Sequence, residues 1–315
     1  MRFVLDESSF VLDRVGERTI QESLVGLLEL ITHCRGQGQG VGRFSEIYRA
    51  PIGLSSEVHD LLFAEPAPVA LPRDLRLGVA AAIERCAPWD LSDEDVVELE
   101  ARLDGEPLPF APSVVFVHKS VGERTGRSCL ALRCSGRSGE RTVEVTGVSR
   151  GLHFVSSPDD TRYFYRSLFE LEDVSEHQYI ELTPLAFPRL TFVDGLDRQF
   201  RRFSRPYASI RRDVTRHLAA LNDHWEEAFH GHPTPDEVAR RMRALADVDL
   251  SPESPNTRAN RRAWSQRQIA VGDRQLHCEW HMKLSPTADR IHFHPGHPGS
   301  DQGPIIGIFA EHLDT

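Results

Sequence analysis

The residues whose types and spacing suit chemistry lie near the end of the chain. Apolar and polar residues alternate strictly over Leu276–Leu284, which predicts a strand with one buried face. Arg290–His294 alternates again after the short connection Ser285–Ala288, so the two runs predict an antiparallel hairpin. Its polar face would be wet and would combine a carboxylate, three imidazoles and two cations. Such groups exchange protons near neutral pH and stabilise negative charge on a substrate.

Matching the apolar faces predicts the register of this hairpin. With Leu284 opposite Asp289, Trp280 lies opposite Phe293 on the apolar side. A slip by one residue would set histidine and arginine against the tryptophan and methionine face, so the pattern favours a single register. The polar pairs are then Lys283 with Arg290, His281 with His292, and Glu279 with His294.

The polar face has two alternative interpretations. Its imidazoles could surround zinc or manganese, with the ligands drawn from His277, His281, His292 and His294. The chain lacks H-E-x-x-H, and it lacks the P-C-x-x-C that accompanies H-x-E in zinc deaminases, so we expect no metal and no other cofactor. Alternatively, the same groups form a satisfied polar network at a sheet edge or between domains.

A third strand completes the predicted terminal sheet. Ile305–Ala310 does not alternate, as expected of a strand covered on both faces, so we place it beside the hairpin. A basic, histidine-bearing strand, a strand beginning Arg-Ile-x-Phe, and a final Ile-Ile-Gly-Ile-Phe-x-x-His together resemble the end of RelE-type ribonuclease toxins. Those toxins belong to a group of small metal-independent ribonucleases with barnase-like architecture. By position, the resemblance implies these matching site residues: His281, Lys283, Arg290, His292 and His312.

Transesterification of RNA needs a base, an acid and cations around the phosphate. We expect Glu279 or His281 to be the base and His292 or His294 the acid, with Lys283 and Arg290 as the phosphate clamp. The function predicted is therefore a nucleic-acid hydrolase, specifically an endoribonuclease of toxin or phage-defence type. Two alternatives stay open: a metal-dependent nuclease or phosphoesterase, and a non-enzymatic subunit of a larger defence complex.

Arginine-rich helices precede the terminal sheet. Apolar residues recur at three- and four-residue steps from Leu196 to Phe229, and Pro206 should divide this segment into two helices. Their other face would be a nucleic-acid track or a plain solvated surface. The arginines predicted to bind phosphates are Arg198, Arg201, Arg202, Arg211, Arg212, Arg261 and Arg262.

The beginning of the chain predicts helices. Ile20–Ile31, Leu75–Cys86 and Asp90–Leu103 have helical patterns, and the glycines at 36, 38, 40 and 42 predict a flexible loop. Asp6 after a short strand, and Glu46 later, resemble the opening of PIN-type nucleases, whose carboxylates hold magnesium. The further acids of such a site would be Asp90, Asp93 and Glu94, although we expect structural roles for Asp6 and Glu46.

The middle of the chain predicts an antiparallel meander. The strands expected are Ser113–Val117, Cys129–Cys134, Arg141–Val148, Leu152–Val155, Gln178–Leu182 and Leu190–Val193. Thr234 should cap a helix over Pro235–Leu245, and Ser251–Ala259 should be a loop. The fold class predicted is α+β: a mainly helical region, 1–108, and then a region, 109–315, in which an antiparallel sheet packs on long amphipathic helices.

Composition sets the cellular context that we expect. The five cysteines are scattered and form no C-x-x-C pair, which favours reduced thiols. Asp6 and Glu7 lie where a signal peptide needs apolar residues. No apolar run is long enough for a membrane span. A cytoplasmic protein that does not contact membranes is therefore predicted. The net charge is −10, yet 197–274 holds fifteen arginines against eleven acids, which favours RNA as a partner, with a protein partner or inhibitor as a further expectation.

Overall fold

The structure, a computed structural model, describes residues 1–13, 15–90, 100–231, 233–297 and 302–314. The chain divides into two compact units, Met1–Glu172 and Asp173–Thr315. Each unit combines its own sheet with helices, so the predicted α+β class is confirmed.

The first unit is built on a mixed sheet that has eight strands within the described residues. These are β1 (Phe3–Leu5), β2 (Val41–Phe44), β3 (Ala87–Trp89), β4 (Ala101–Leu103), β5 (Glu106–Leu108), β6 (Ser128–Leu130), β7 (Gly139–Val145) and β8 (Val148–Val155). Five are parallel neighbours in the order β3-β2-β1-β6-β8, and β7, β4 and β5 continue the sheet through antiparallel pairs. The central strand β1 is completely buried, as expected of a parallel strand covered on both faces.

Helices connect and cover these strands. They are α1 (Glu17–Gly36), α2 (Val58–Phe63), α3 (Arg73–Glu84), α4 (Pro112–Gly122) and α5 (Thr161–Leu171). The apolar stripe of α1 buries Leu24, Leu27 and Leu30, so the helix predicted at Ile20–Ile31 is confirmed, as is the one predicted at Leu75–Cys86. The loop predicted from the glycine series is partly wrong, because Val41–Phe44 forms β2.

The region expected to be mainly helical, 1–108, contains five short strands beside its helices in the part that the structure describes. Ala101–Leu103, predicted as the end of a helix, is strand β4, and 91–99 lie outside the described residues. The missed signal is the Asp104-Gly105 turn, in which both residues have positive φ, the geometry of a tight hairpin. Because β4 also pairs with β7, strands from both sides of residue 108 share one sheet, and the units divide later, after Glu172.

Two predicted strands are helices. Ser113–Val117 lies in α4, where Pro112 occupies the first turn, and the β-branched residues that suggested a strand instead pack in the core. Gln178–Leu182 lies in a helix that begins with a capping box between Ser175 and Gln178. In both cases the helix-start signal outweighed strand propensity.

The second unit combines a five-stranded sheet, a two-stranded hairpin and helices. The helices are α6 (Glu176–Ala186), α7 (Tyr207–Phe229), α8 (Pro235–Ala246), α9 (Pro255–Ala259) and α10 (Arg261–Ser265). As predicted, Pro206 divides the arginine-rich segment, here into a 3-10 helix, Asp197–Arg202, and α7. The predicted cap at Thr234 is also confirmed, with its hydroxyl accepting from Glu237 N–H.

The strands of this unit are β9 (Thr191–Phe192), β10 (Asp249–Pro252), β11 (Gln268–Val271), β12 (Arg274–His277), β13 (Trp280–Lys283), β14 (Arg290–His294) and β15 (Ile305–Ala310). The main sheet has the order β10-β13-β14-β15-β9, and β11 and β12 form a separate hairpin. The fully buried β15 is the neighbour of β14, as expected. The loop predicted at Ser251–Ala259 is wrong: it contains the end of edge strand β10 and helix α9.

Candidate functional site

The hairpin of β13 and β14 has the predicted register. Trp280 pairs with Phe293, His281 with His292, Met282 with Ile291, and Lys283 with Arg290. The predicted strand Leu276–Leu284 is interrupted at Cys278 and Glu279, however, because β12 leaves the main sheet to pair with β11. Glu279 therefore lies outside the strand pair that was expected to set it opposite His294.

A carboxylate from a third strand connects the two paired histidines. Glu253 follows β10, and its Oε1 lies 3.0 Å from His281 Nδ1 and 3.1 Å from His292 Nδ1. Its other oxygen, Oε2, is 2.9 Å from Nε of Arg267. One carboxylate thus holds two imidazoles and one guanidinium, a set that we call the Glu253 cluster: Glu253, Arg267, His281 and His292.

Local structure explains how Glu253 reaches this position. Its backbone N–H donates to Glu279 O at 2.8 Å, which extends the β10–β13 pairing by one residue. Ser254 then caps α9 and turns the chain away. Pro252 is tolerated because β10 is an edge strand. The two prolines of Ser-Pro-Glu-Ser-Pro suggested a loop, so Glu253 was not among the predicted site residues.

Most of the Glu253 cluster is buried. The side chains of Glu253, Arg267 and His292 are each 3% exposed, whereas that of His281 is 16% exposed. The polar face of the hairpin is consequently not the wet face that the alternation predicted. Glu253, Arg267 and His292 lie in the interior of the second unit, and His281 is the member of the cluster that reaches solvent.

Burial and charge set the protonation of the cluster. Burial alone would raise the pKa of Glu253, but hydrogen bonds from His281, His292 and Arg267 bring it below its usual range, so the carboxylate is ionised. Burial lowers the pKa of His292 to about 4, although its hydrogen bond to Glu253 opposes the shift. At neutral pH His292 is therefore a neutral imidazole.

These protonation states determine the tautomer of His281. Because ionised Glu253 can only accept, the hydrogen bond at Nδ1 requires that this nitrogen carries the proton. A neutral His281 then has a lone pair at Nε2, which lies 3.1 Å from Ser251 Oγ. The Ser251 hydroxyl therefore donates to His281, and the imidazole is a proton acceptor at the half-buried rim of the cluster.

The cluster also offers ligand atoms for a metal ion. Of the residues that the structure describes, one group of histidines and acids is suitably placed: Glu253, His281 and His292, whose ligand atoms lie within 4.8 Å of one another. Two of the four histidines considered as metal ligands are used elsewhere, because His294 Nδ1 contacts the carbonyl oxygen of His277 and the His277 ring stacks on Trp264.

The other predicted site residues lie apart from the cluster. Buried Arg290 donates to carbonyl oxygens of Ser285, Pro286 and Ala288 in its own turn, so its guanidinium fixes the hairpin rather than facing a substrate. Glu279 and His294 are half-buried, and exposed His312 contacts Leu313 O. Lys283 is half-buried and lies opposite Asp249 in the β10–β13 ladder, and its carbonyl oxygen is 3.1 Å from His217 Nε2.

A cavity of about 340 Å3 opens at the Lys283 end of the same strands. Lys283 and its strand partner Asp249 line it, together with Arg216 and Arg243. Lys283 is two residues from His281 and therefore on the same face of β13, about 7 Å along the strand. The same cavity is lined by two acids, of which Asp249 pairs with Arg243 and Asp247 lies 3.9 Å from Arg216. Lys283 is thus the cation of the cavity that lies nearest to His281 along β13.

The arginines predicted to bind phosphates are mostly on the surface. Arg198, Arg201, Arg202, Arg212, Arg261 and Arg262 are exposed, and Arg211 is half-buried against the Tyr207 ring. Arg262 contacts Asp314 at 3.4 Å. The geometry is compatible with either a phosphate track or a solvated face.

In the first unit, the described acids that resemble PIN-type nucleases, Asp6, Glu46 and Asp90, follow parallel strands and are not in the one described group that could hold a metal ion. Asp6 pairs with Arg137, and Glu46 pairs with Arg49 on the surface. Asp90 contacts the Ser45 hydroxyl, and Asp93 and Glu94 lie outside the described residues.

No protein-family model matches this chain, and no curated protein or solved structure is significantly similar to it. In the described part of the chain, no helix combines the length and apolar character needed to cross a membrane.

Proposed function

We propose that this protein is a nucleic-acid hydrolase, specifically an endoribonuclease of toxin or phage-defence type, in which His281 moves the proton. The observation that carries the proposal is the pairing of a buried carboxylate with a partly exposed imidazole. Glu253 accepts from His281 Nδ1 at 3.0 Å, which leaves Nε2 as a base at the surface. A carboxylate that orients an imidazole in this way is a recurring device for general-base catalysis.

The surroundings of His281 supply the remaining requirements of phosphodiester cleavage. The imidazole takes a proton from the attacking hydroxyl and, once protonated, gives it to the leaving oxygen. Lys283 faces the neighbouring cavity as a point charge for the phosphate, and Arg216 and Arg243 line the same cavity. Glu253, His292 and Arg267 act as positioning residues. Arg290 no longer belongs in the proposed clamp, because its donors are used within its turn.

The position of the three ligand atoms favours a second candidate, a metal-dependent phosphoesterase. Glu253, His281 and His292 provide one oxygen and two nitrogens, a donor set suited to zinc or manganese. Metal bound at both Nδ1 atoms would move the imidazole protons to Nε2 and end the role of His281 as a base. The two candidates are therefore mutually exclusive at this site.

Incubation of purified, untagged protein with labelled RNA and DNA, with and without EDTA, tests both candidates. For the ribonuclease, we expect cleavage that EDTA does not affect. We also expect His281→Ala to slow cleavage at least about 100-fold. His230→Ala is the matched control, since His230 is an exposed histidine after α7 and outside the cluster. Loss of cleavage in EDTA with recovery on adding zinc or manganese would favour the second candidate. Absence of cleavage from a folded protein would contradict both.

A further inference from the structure

The Glu253–His281 pair is extended by a third residue, because His281 also contacts the hydroxyl of Ser251. Ser251 lies opposite His281 in the β10–β13 ladder, and its Oγ is 3.1 Å from Nε2. Because both residues belong to paired strands, this contact is fixed by backbone register rather than by a loop. The chain Ser251–His281–Glu253 therefore has a hydroxyl, a base and an orienting carboxylate, each within hydrogen-bond distance of the next.

The direction of proton transfer along this chain is determined by its buried end. Arg267 and His292 hold the Glu253 carboxylate in place, so its Oε1 can only accept from His281 Nδ1. The lone pair of His281 Nε2 consequently points toward the Ser251 hydroxyl. This order of groups is the one that activates serine in hydrolases of unrelated folds.

Ser251 is also accessible. It is half-buried, and β10 is the edge strand of the sheet, so only one side of its backbone is covered by a neighbouring strand. Asp249, two residues earlier, is on the same face of β10 and lines the cavity together with Lys283. Lys283 lies about 7 Å along the strands from the Ser251–His281 pair, so a phosphate located between them would be near both groups.

We propose that Ser251 is the nucleophile of this site and attacks the phosphorus of a phosphodiester to form a covalent phosphoserine intermediate. This inference rests on the proposed function for its substrate class. It changes the mechanism, because attack by Ser251 does not need the 2′-hydroxyl of RNA. DNA and 2′-deoxy-substituted RNA would then be substrates as well.

The two steps balance without a cofactor. In the first step the Ser251 Oγ–P bond forms, its proton moves to His281 Nε2, and the bond from phosphorus to the leaving oxygen breaks as that oxygen takes the proton from His281. In the second step water attacks phosphorus, His281 takes a proton from the water, and Oγ leaves and is reprotonated. Lys283 stabilises the non-bridging oxygens in both steps.

A fluorophosphonate probe tests the nucleophile without assuming a nucleic-acid substrate. The serine oxygen displaces fluoride, so the expected result is one label per chain, located by mass spectrometry on the peptide that contains Ser251. Ser251→Ala should lose the label, and His281→Gln should slow labelling on the order of 100-fold or more. Ser265→Ala should label like the unmodified protein, since Ser265 is an exposed serine whose hydroxyl donates to Arg262 O. Circular dichroism confirms that each variant is folded.

Acid quenching during cleavage of a labelled 2′-deoxy oligonucleotide tests the intermediate. We expect label bound covalently to Ser251 and lost from Ser251→Ala. If RNA cleavage yields 2′,3′-cyclic phosphates and is unchanged in Ser251→Ala, Ser251 is not the nucleophile, and the proposed function still holds. Labelling of Ser251 by the probe without cleavage of any nucleic acid would overturn the proposed function and support the activated serine. If the probe does not label the folded protein, Ser251 is not an activated nucleophile.

Discussion

Each unit buries a carboxylate against an arginine, but the two pairs differ in their connection to solvent. In the first unit, Asp6 accepts from Arg137 at 2.5 Å and from the Ser8 hydroxyl at 2.6 Å, and its side chain is completely buried. In the second unit, Glu253 binds Arg267 and continues through His281 to the rim of the sheet. The first pair ends in buried hydroxyl and backbone groups, whereas the second continues through a base, His281, to the half-buried Ser251.

Under the proposed function, this difference separates a structural role for the Asp6 pair from a chemical role for the Glu253 cluster. The Asp6 pair fixes the chain path directly after the central strand β1. The next residue, Glu7, caps α4 by accepting from Ser113 N–H, and burial followed by the charge of Asp6 raises the Glu7 pKa to about 8. Nothing in that network carries a proton toward solvent among the contacts that the structure describes. Glu253, in contrast, stays ionised and orients the partly exposed imidazole of His281.

The largest effect expected is from removing either buried charge. Asp6→Asn and Glu253→Gln each leave an arginine without its buried carboxylate partner, so each should lower the free energy of unfolding of its own unit by about 3–5 kcal/mol. Denaturant titration followed by tryptophan fluorescence measures this, and Trp89 is the single tryptophan of the first unit. Only Glu253→Gln should also lower kcat, with KM unchanged, because Glu253 acts on His281 and not on the substrate.

Activity should be corrected for the folded fraction in this comparison. Equal losses of kcat in folded Asp6→Asn and Glu253→Gln would show that the Glu253 cluster has no special role, and the contrast between the two units would then fail.

Substitutions of the two histidines of the cluster should have different effects: one should reduce cleavage and the other should reduce stability. His281→Ala removes a partly exposed base, so cleavage should fall about 10²–10⁴-fold while stability changes by about 1 kcal/mol or less. His292→Ala empties a buried position and should cost about 2–4 kcal/mol of stability, with a much smaller effect on cleavage by the folded protein. Thermal unfolding and initial rates measure the two quantities. A reversed pattern would assign the chemistry to His292.

Opposite pH dependence should distinguish the units. The pKa of His292 falls from an ordinary 6.5 to about 4 on folding, so the unfolded state binds more protons between these values, and the second unit loses stability as pH falls through that range. The pKa of Glu7 rises from 4.5 to about 8, so the folded state binds more protons, and the first unit loses stability as pH rises through that range. Each contribution amounts to a few kcal/mol.

Neutral substitutions isolate these two groups from other titrating residues. His292→Gln should flatten the acid side of the stability profile of the second unit, and Glu7→Gln should flatten the alkaline side of the first. A profile that keeps its slope after the substitution would mean that another group causes it.

The terminal hairpin could be predicted because its information is local. Strict alternation over Trp280–Lys283 and Arg290–His294 determined which residues face each other, and only one register satisfied both runs. The contact of His281 with His292 follows directly. The burial of that contact does not follow, because Glu253 and Arg267, which complete the buried cluster, lie outside the two strands and reach it through tertiary contacts.

Glu253 and Ser251 were missed for a related reason. Val248 and Leu250 are buried and alternate with Asp249 and Ser251, which is a strand signal, but the prolines that follow suggested a loop. Pro252 is compatible with β10 only because that strand has a single neighbour, and edge position is a property of the whole sheet. The first unit shows the same limit: its short parallel strands, such as β1, receive their partners from distant segments.

The smallest effect expected concerns the two lysines, one in each unit. If Lys283 contacts a substrate phosphate, Lys283→Ala should weaken binding of single-stranded nucleic acid and make the dependence of log affinity on log salt shallower by about 0.7. Lys119→Ala removes the same charge from the first unit and is the matched control. Fluorescence anisotropy with inactive His281→Ala as the parent measures binding without cleavage. An equal change of slope in both variants would mean that charge alone, and not the cavity beside His281, determines binding.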